Sequence, residues 1–192
     1  MQNMVIEDIF DINNYNSVIR KILRKESKIR LEKIIEHCVE IPAHFLSYSI
    51  HPKNSSIKEI KSHIMPVCKK LKEEGINNSF STAIYEVVLN AYQHGNKYDS
   101  TKEIRLSYGI INDSFSVIVE DEGDGIFPEF VSFVTAIKQD PEKFINFYDF
   151  IKQTPTKENL GTGTSFMHIY SDKVNYGRSK LGGLAVELLR KK

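Results

Sequence analysis

Residues 86–96 read EVVLNAYQHGN, and this stretch decides the fold that we expect. Glu86, Asn90 and His94 recur every four residues, which is just over one turn of an α-helix, so the three side chains share one helical face. The opposite face is apolar and should be buried: Ile84, Val87, Val88 and Ala91. An ordinary surface helix can also carry such a polar ladder (Glu86, Asn90, His94), so the ladder indicates a site only when further motifs accompany it.

The composition is typical of one substantial globular domain with an extension. The chain has 192 residues, of which 41% are hydrophobic and 27% are charged. A formal net charge of +1 gives no global signal for nucleic acid, and no apolar run approaches the roughly 20 residues of a membrane span. Cys38 and Cys68 lack CxxC spacing and clustered histidines, which argues against a disulfide framework and a zinc site. The acidic N-terminus does not read as a secretory signal, and we therefore expect a cytoplasmic protein.

Residues 1–42 are predicted to form an N-terminal helical extension. Apolar positions between residues 15 and 39 fit one long amphipathic helix or two short ones, and Pro42 closes the segment. The other face of this segment is basic, which is usual for a solvated surface and would also suit an acidic partner or a membrane. The domain that follows is expected to cover residues 43–192.

The patterns within residues 43–192 predict strands and helices on both sides of the polar ladder. A strand is expected at 44–50, followed by a helix that Ser55 or Ser56 caps and Gly75 ends. The remaining elements are expected in this order: the ladder helix from 78 or 79 to 94, with Gly95 and Asn96 as its stop signal, strands at 103–108 and 115–120 turning at Asn112 and Asp113, a lid insertion at 126–160 with two short helices, a helix at 164–170, and strands at 173–176 and 184–189 turning at Gly182 and Gly183.

The string DEGDGI begins at Asp121, directly after an apolar strand-like run. A carboxylate at a strand end can accept a hydrogen bond from an exocyclic amine such as that of adenine, while Gly123 and Gly125 allow close approach of the backbone. An acidic, glycine-rich turn is more often only a turn. A calcium loop is a further interpretation, although the string lacks the spaced oxygens and closing Glu of an EF-hand.

The string NLGTGTSFM places a second glycine motif at the start of a predicted helix: Gly161, Thr162, Gly163 and Thr164. Free backbone N–H groups and the positive end of a helix dipole favour an anion there, and phosphate is the natural ligand. The string is not a P-loop, because no Lys-Ser or Lys-Thr follows the glycines. It also lacks the third glycine of a dinucleotide fingerprint.

The polar ladder suits a site for a metal-bound nucleotide. Asn90 offers a carboxamide oxygen, which can bind Mg²⁺ without adding negative charge beside phosphates. Glu86, one turn earlier, could hold or deprotonate an attacking water or hydroxyl. His94 keeps two interpretations: a contact to phosphate, or a residue that only ends the helix.

The order of these motifs resembles that of the GHKL ATPase superfamily, which contains gyrase, histidine-kinase catalytic domains and the anti-sigma factor serine kinases. ExxxNAxxHG at residues 86–95 is similar to the N box, DxGxG at 121–125 to the first glycine box, and residues 161–164 to the second. The resemblance runs from about residue 44 to the C-terminus. It implies an α+β fold of the Bergerat type, a two-layer α/β sandwich whose mixed, mostly antiparallel sheet is covered on one face by helices.

Within that superfamily, the chain looks most like the bacterial anti-sigma factor serine/threonine-protein kinases, and this resemblance implies roles and ligands. ATP and Mg²⁺ would bind, with Glu86 as general base, Asn90 as Mg²⁺ ligand and Asp121 as the residue that reads adenine. The implied nucleotide-binding residues are Asn90, His94, Asp121, Gly123, Gly125, Gly161, Thr162, Gly163 and Thr164. The implied partners are proteins, namely a sigma factor and an anti-sigma antagonist, and a homodimer is a further expectation; direct nucleic-acid binding is not expected.

Two departures from the resemblance leave alternative functions open. The lid at 126–160 is longer than expected for a minimal anti-sigma kinase, and its aromatic residues should pack onto the sheet or dock a partner. Related kinases often carry Arg directly before the second glycine box, where this chain has Asn159 and Leu160, with Lys157 as a substitute. One alternative is a nucleotide-gated protein-binding module without phosphotransfer. The other is a histidine-kinase catalytic domain, for which His37 would lie in an early helix.

Overall fold

A computed structural model describes residues 35–53, 56–123, 128–140, 144–154 and 160–192. The strands are β1 (Ile35–Cys38), β2 (Leu46–Ile50), β3 (Ile104–Ile111), β4 (Ser114–Asp121), β5 (Lys173–Arg178) and β6 (Leu184–Lys191). The helices are α1 (Ile57–Glu73), α2 (Ser79–Asn90), α3 (Pro128–Gln139), α4 (Phe147–Ile151) and α5 (Gly163–Ile169). A π-helical turn, Ala91–Gly95, continues α2.

The six described strands form one sheet in the order β1-β5-β6-β4-β3-β2. β1 pairs with β5 in parallel, and the other four pairings are antiparallel. Alternate residues of β4 point to opposite faces of the sheet, so Val117 and Val119 join the hydrophobic core while Ile118 lies outside it. The predicted α+β fold, with a mixed and mostly antiparallel sheet, is confirmed.

The core lies between the sheet and the helices. The apolar face of α2 is buried as predicted and includes Phe80, Ala83, Ile84, Val87 and Val88. These side chains belong to one cluster with residues of the sheet, and Ile60, Ile64 and Val67 extend it along α1. A continuous core of this kind fixes α2, and with it the polar ladder, against the sheet.

Local sequence signals locate most element ends correctly. Ser56 caps α1 by accepting a hydrogen bond from the Glu59 N–H at 3.3 Å, and Gly75 follows this helix with a φ of +72°. Asn112 and Asp113, at φ 46° and 60°, form the hairpin turn between β3 and β4. Two consecutive residues with positive φ are the requirement of a type I′ turn, which Asn and Asp tolerate well.

The prediction of helix up to residue 39 is wrong at Ile35–Cys38, because this segment is strand β1. Its backbone pairs with β5, with Ile35 opposite Tyr176 and Cys38 opposite Arg178. Apolar spacing within a short segment cannot show that a free sheet edge offers hydrogen-bond partners, and four residues are too few for spacing to separate helix from strand. Residues 1–34, which hold most of the predicted extension, lie outside the described residues, and the boundary at 42/43 stays a prediction.

The lid insertion contains two helices, as predicted. In α3, Phe133 is fully buried and contacts Phe147 of α4 at a ring-centroid distance of 5.1 Å. Phe130 packs on Tyr176 of β5 at 6.2 Å. The lid therefore packs through aromatic side chains onto strand β5. In the described residues, no helix combines the length and the apolar character that a membrane crossing requires.

Candidate functional site

A pocket opens where α2, the sheet, the lid and α5 meet. Its polar lining comes from Asn90, His94, Asp121 and Thr164. Most of the remaining wall is apolar and includes Val119, Phe130, Phe147, Met167, Tyr176 and Val186. An apolar pocket with a few convergent polar groups is the usual form of a small-molecule site, and the apolar wall suits an aromatic base.

Asp121, the last residue of β4, lies in this pocket with only 4% of its surface exposed. Its Oδ1 accepts hydrogen bonds from the backbone N–H groups of Gly123 at 2.8 Å and Leu184 at 3.2 Å. Burial raises the pKa of this carboxyl, while the two N–H groups and Lys102 oppose the shift. Its Oδ2 accepts no hydrogen bond from the described residues, so it is available to a donor on a ligand.

Three glycines enclose the Asp121 side chain. A Cβ at Gly95 or Gly183 would overlap the Asp121 carboxylate, and a Cβ at Gly123 would overlap the carbonyl of Gly95. The backbone therefore approaches the carboxylate more closely than any residue with a side chain would permit. The sequence predicted this requirement for Gly123, whereas it predicted Gly95 only as part of a helix stop and Gly183 only as a turn.

Asn96 joins the end of the ladder helix to the end of β4. Its side chain is 1% exposed, its Oδ1 accepts from the Glu122 N–H at 3.0 Å, and its Nδ2 donates to the Glu103 carbonyl at 3.0 Å. This amide holds Gly95 against Asp121, which sequence reasoning missed. No local signal pointed to this role, because a helix stop is a sufficient explanation for Asn directly after the His-Gly pair.

Asn90 faces the pocket, as the ladder predicted. Its Nδ2 donates to Met167 Sδ at 3.4 Å, a weak contact that turns the amide oxygen away from the sulfur. The oxygen accepts no hydrogen bond from the described residues, which leaves it able to bind a metal ion. His94 lies at the rim with an exposed side chain, and desolvation of the ring where it meets protein lowers the pKa of the imidazole. The neutral form is therefore favoured at pH 7.

Glu86 lies between the pocket and the outer surface. A Cβ at Gly163, which lines the pocket, would overlap Glu86 Oε2. Glu86 also lines a shallow groove between α1 and α2, together with Met65 and Tyr85. Burial raises the pKa of the Glu86 carboxyl, which makes it a better proton acceptor near neutral pH.

The second glycine motif contacts the lid. Gly161 has a φ of +72°, and a Cβ there would lie 2.6 Å from Tyr148 Cδ2, so both conformation and space require glycine. Asn146 Nδ2 donates to the Leu160 carbonyl at 2.7 Å, and its Oδ1 caps α4 by accepting from the Tyr148 N–H at 2.9 Å. Ser165 Oγ donates to the carbonyl of Ile145. Asn146 and Ser165 therefore fix the lid to this motif, and neither was predicted to do so.

A buried His168–Tyr176 pair, with the exposed Lys138 beside it, lies at the pocket wall. His168 Nε2 and the Tyr176 hydroxyl are 2.9 Å apart, and the Lys138 ammonium lies 5.5 Å from the centre of the Tyr176 ring. Burial and the nearby Lys138 charge lower the pKa of His168 to about 4. These contacts link lid helix α3 to β5 and α5 through neutral His168.

The structure brings most of the predicted site residues together. Asn90, His94, Asp121, Gly161, Gly163 and Thr164 line one pocket, and Gly123 adjoins it through Asp121. Glu86 contacts the pocket at Gly163, and Thr162 precedes α5 as its N-terminal flanking residue. Gly125, Lys157 and Asn159 lie outside the described residues. Roles of the individual residues stay predictions.

An apolar pocket with a free carboxylate oxygen, a free carboxamide oxygen and two glycine motifs is the kind of site expected of a nucleotide-binding α/β sandwich. The family model for the histidine kinase-like ATPase domain matches residues 59–189, more than half of the chain, and the chain belongs to this family. No curated protein is significantly similar to the chain in sequence.

The residues of the pocket fit ATP, which domains of this family bind, usually with Mg²⁺. Asp121 Oδ2 can accept from an amine, and Asn90 offers a neutral oxygen to a hard cation. Gly161 and Gly163 let the backbone at the start of α5 pack directly against Tyr148 and Glu86, where any larger residue would overlap them, and both glycines line the pocket.

Proposed function

We propose that the chain is an ATP-binding regulatory protein of the anti-sigma type, which transfers the terminal phosphate of ATP to a Ser or Thr of an antagonist protein and also controls a second protein by binding it. The observation that carries the proposal is the position of Glu86. Its carboxylate lies against Gly163 of the nucleotide pocket, yet the same residue lines the groove between α1 and α2 at the surface. A hydroxyl on another protein can therefore approach Glu86, and a terminal phosphate beside Gly163, from this groove.

Each residue then has one part in the reaction. Glu86 accepts the proton of the acceptor hydroxyl while that oxygen bonds to the terminal phosphorus and ADP leaves, and the raised pKa of its buried carboxyl favours this proton transfer. Asn90 binds Mg²⁺, and Asp121 accepts a hydrogen bond from the adenine amine. A cytoplasmic location, which the acidic N-terminus led us to expect, and a homodimer remain parts of the proposal.

A second candidate is a nucleotide-gated binding module that transfers no phosphate. No Arg or Lys lines the pocket among the described residues, and the position before Gly161 is Leu160, which is 60% exposed. A cation on the transferring phosphate stabilises the charge of the transition state, so its absence from this part of the wall favours the second candidate. The histidine-kinase alternative is weakened, because the predicted helix around His37 is strand β1.

Calorimetric titration with Mg²⁺ and ATP tests the site. Wild type should bind, and Asn90→Ala should lose the part of the affinity that depends on Mg²⁺. Asn78→Ala is a matched control, because Asn78 is exposed and makes no side-chain cap bond at the start of α2. Equal binding of Asn90→Ala and wild type with Mg²⁺ present would remove Asn90 from the site.

Transfer from radiolabelled ATP to candidate antagonist domains separates the two functions. A kinase should label an antagonist on Ser or Thr, and Glu86→Ala should abolish both the label and the regulation of the second partner. A binding module should regulate that partner equally well with Glu86→Ala. Intact ATP binding without transfer to any antagonist would refute the kinase.

A further inference from the structure

The β5–β6 turn, residues 179–183, lies against the strand end that carries Asp121. The Gly183 N–H donates to the Asp121 carbonyl at 3.1 Å, and the N–H of the following residue, Leu184, donates to Asp121 Oδ1 at 3.2 Å. A Cβ on Gly183 would overlap Oδ1. The position of this turn therefore decides where the carboxylate lies and which way Oδ2 faces.

Glu120, the residue before Asp121, holds the same turn from the other face of the sheet. Side chains alternate along a strand, so Glu120 points away from the pocket that Asp121 lines. Glu120 Oε1 accepts from the Lys180 N–H at 2.9 Å and from Ser179 Oγ at 3.3 Å. Two consecutive carboxylates, Glu120 and Asp121, thus accept hydrogen bonds from one turn and the residue after it, on opposite faces of the sheet.

The turn is held together by its own hydrogen bonds. The Ser179 N–H donates to the Gly183 carbonyl at 3.0 Å, and the Gly182 N–H donates to the Ser179 carbonyl at 3.2 Å. Gly182 has a φ of +111°, a conformation that residues with side chains rarely adopt. A displacement of Ser179 or Lys180 is therefore transmitted to Gly183, which touches the Asp121 carboxylate.

The carboxylate of Glu120 is energetically unfavourable in its buried position. It has no exposed surface, and its Oε2 accepts no hydrogen bond from the described residues; Arg105 Nη1 lies 3.6 Å from it. A buried carboxylate with an incompletely paired oxygen is unfavourable, and an apolar side chain such as that of Ile118 on the same face would avoid this penalty. The hydrogen bonds that Glu120 accepts from Ser179 and Lys180 give a reason for a carboxylate here, because an apolar side chain could not hold the turn.

We propose that Glu120 is a positioning residue for purine selectivity: through the β5–β6 turn it holds Asp121 in the orientation that distinguishes a 6-amino purine from a 6-oxo purine. The inference rests on the proposed function, in which Asp121 reads the adenine amine. A 6-oxo purine presents a carbonyl oxygen at that place and cannot donate to Oδ2. Asn90 and Gly163 belong to other elements, so phosphate binding should not depend on the turn.

Calorimetry of the full chain with Mg²⁺-ATP and Mg²⁺-inosine triphosphate tests the proposal. Wild type should bind ATP more tightly than inosine triphosphate. Glu120→Ala should reduce the ratio of the dissociation constant for inosine triphosphate to that for ATP about tenfold. Glu120→Gln should keep the ratio, because its amide oxygen can still accept from the Lys180 N–H. A merely structural role of Glu120 would weaken both nucleotides equally and leave the ratio unchanged, which would overturn the proposal.

A second pair of variants decides the question if Glu120→Ala does not fold. Gly182→Ala and Gly75→Ala both place a side chain at positive φ, at +111° and +72°, in space that is open to a Cβ. Only Gly182 belongs to the turn, so only Gly182→Ala should reduce the ratio. An equal ratio in both variants would refute the positioning role, whereas a wild type that does not discriminate between the nucleotides would instead refute adenine reading by Asp121.

Discussion

Replacement of Asn96 by Ala should destabilise the protein and weaken the nucleotide site together. The variant loses two hydrogen bonds of 3.0 Å each and leaves the Glu122 N–H and the Glu103 carbonyl without their partner. An unsatisfied buried group costs roughly 1–3 kcal/mol, so the sum for the two groups is about 2–6 kcal/mol. Because Glu103 and Glu122 are only half-buried, water can reach these groups in part, and the lower half of that range is expected.

Urea unfolding followed by circular dichroism measures this loss as a lower midpoint with an unchanged slope. Asn78→Ala is the matched control and should change the unfolding free energy by less than about 0.5 kcal/mol, because its side chain is exposed. Asn96→Asp keeps an acceptor for the Glu122 N–H but cannot donate to Glu103, so it should also be destabilised. A loss below about 1 kcal/mol for Asn96→Ala would refute the argument that this amide joins α2 to β4.

Two further predictions concern pH and catalysis. The pKa of His168 is about 4 in the folded state against 6.5 for a free side chain, so the unfolded chain binds the proton first as pH falls, and stability should decrease by roughly 3 kcal/mol between about pH 6.5 and 4. His168→Gln should flatten this part of the pH profile of urea unfolding. Tyr176→Phe removes the hydroxyl but leaves His168 buried, so it should keep the pH dependence. A slope that persists in His168→Gln would show that another group is responsible. Gly163→Ala should displace Glu86 and lower phosphate transfer on the order of 100-fold, and transfer at the wild-type rate would contradict a role for the contact between Gly163 and Glu86.

The sequence predicts those parts of the fold that depend on neighbours along the chain. The cap at Ser56, the end of α1 at Gly75 and the hairpin turn at Asn112 and Asp113 each follow from the backbone preferences of the residues themselves. β1 follows from pairing with β5, whose residues lie more than 130 positions later in the chain. Nothing in the sequence of Ile35–Cys38 shows whether the segment is a strand or a helix, so this element could not be predicted from local sequence.

The same distinction applies to the site. Asp121, Gly161 and Gly163 were predicted because their motifs are contiguous in sequence. Asn96 and Gly183 act on partners that only the sheet brings near: Asn96 bonds residues 7 and 26 positions away, and Gly183 touches a carboxylate across the strand pair β4 and β6. A turn glycine and a helix-stop Asn have sufficient local explanations, and these hid their second role.

The polar ladder shows how an even spacing can still divide between two environments. Four residues of α-helix advance by about 400°, so each step of the ladder drifts by about 40° around the axis. Glu86 therefore lines the outer groove, while Asn90, one step later, lines the pocket. The π-helical turn Ala91–Gly95 has a wider turn than an α-helix and changes the direction of His94 and Gly95 at the point where Gly95 must meet Asp121. The drift thus places Glu86 at the groove between α1 and α2, and the π-turn brings Gly95 against Asp121 at the pocket.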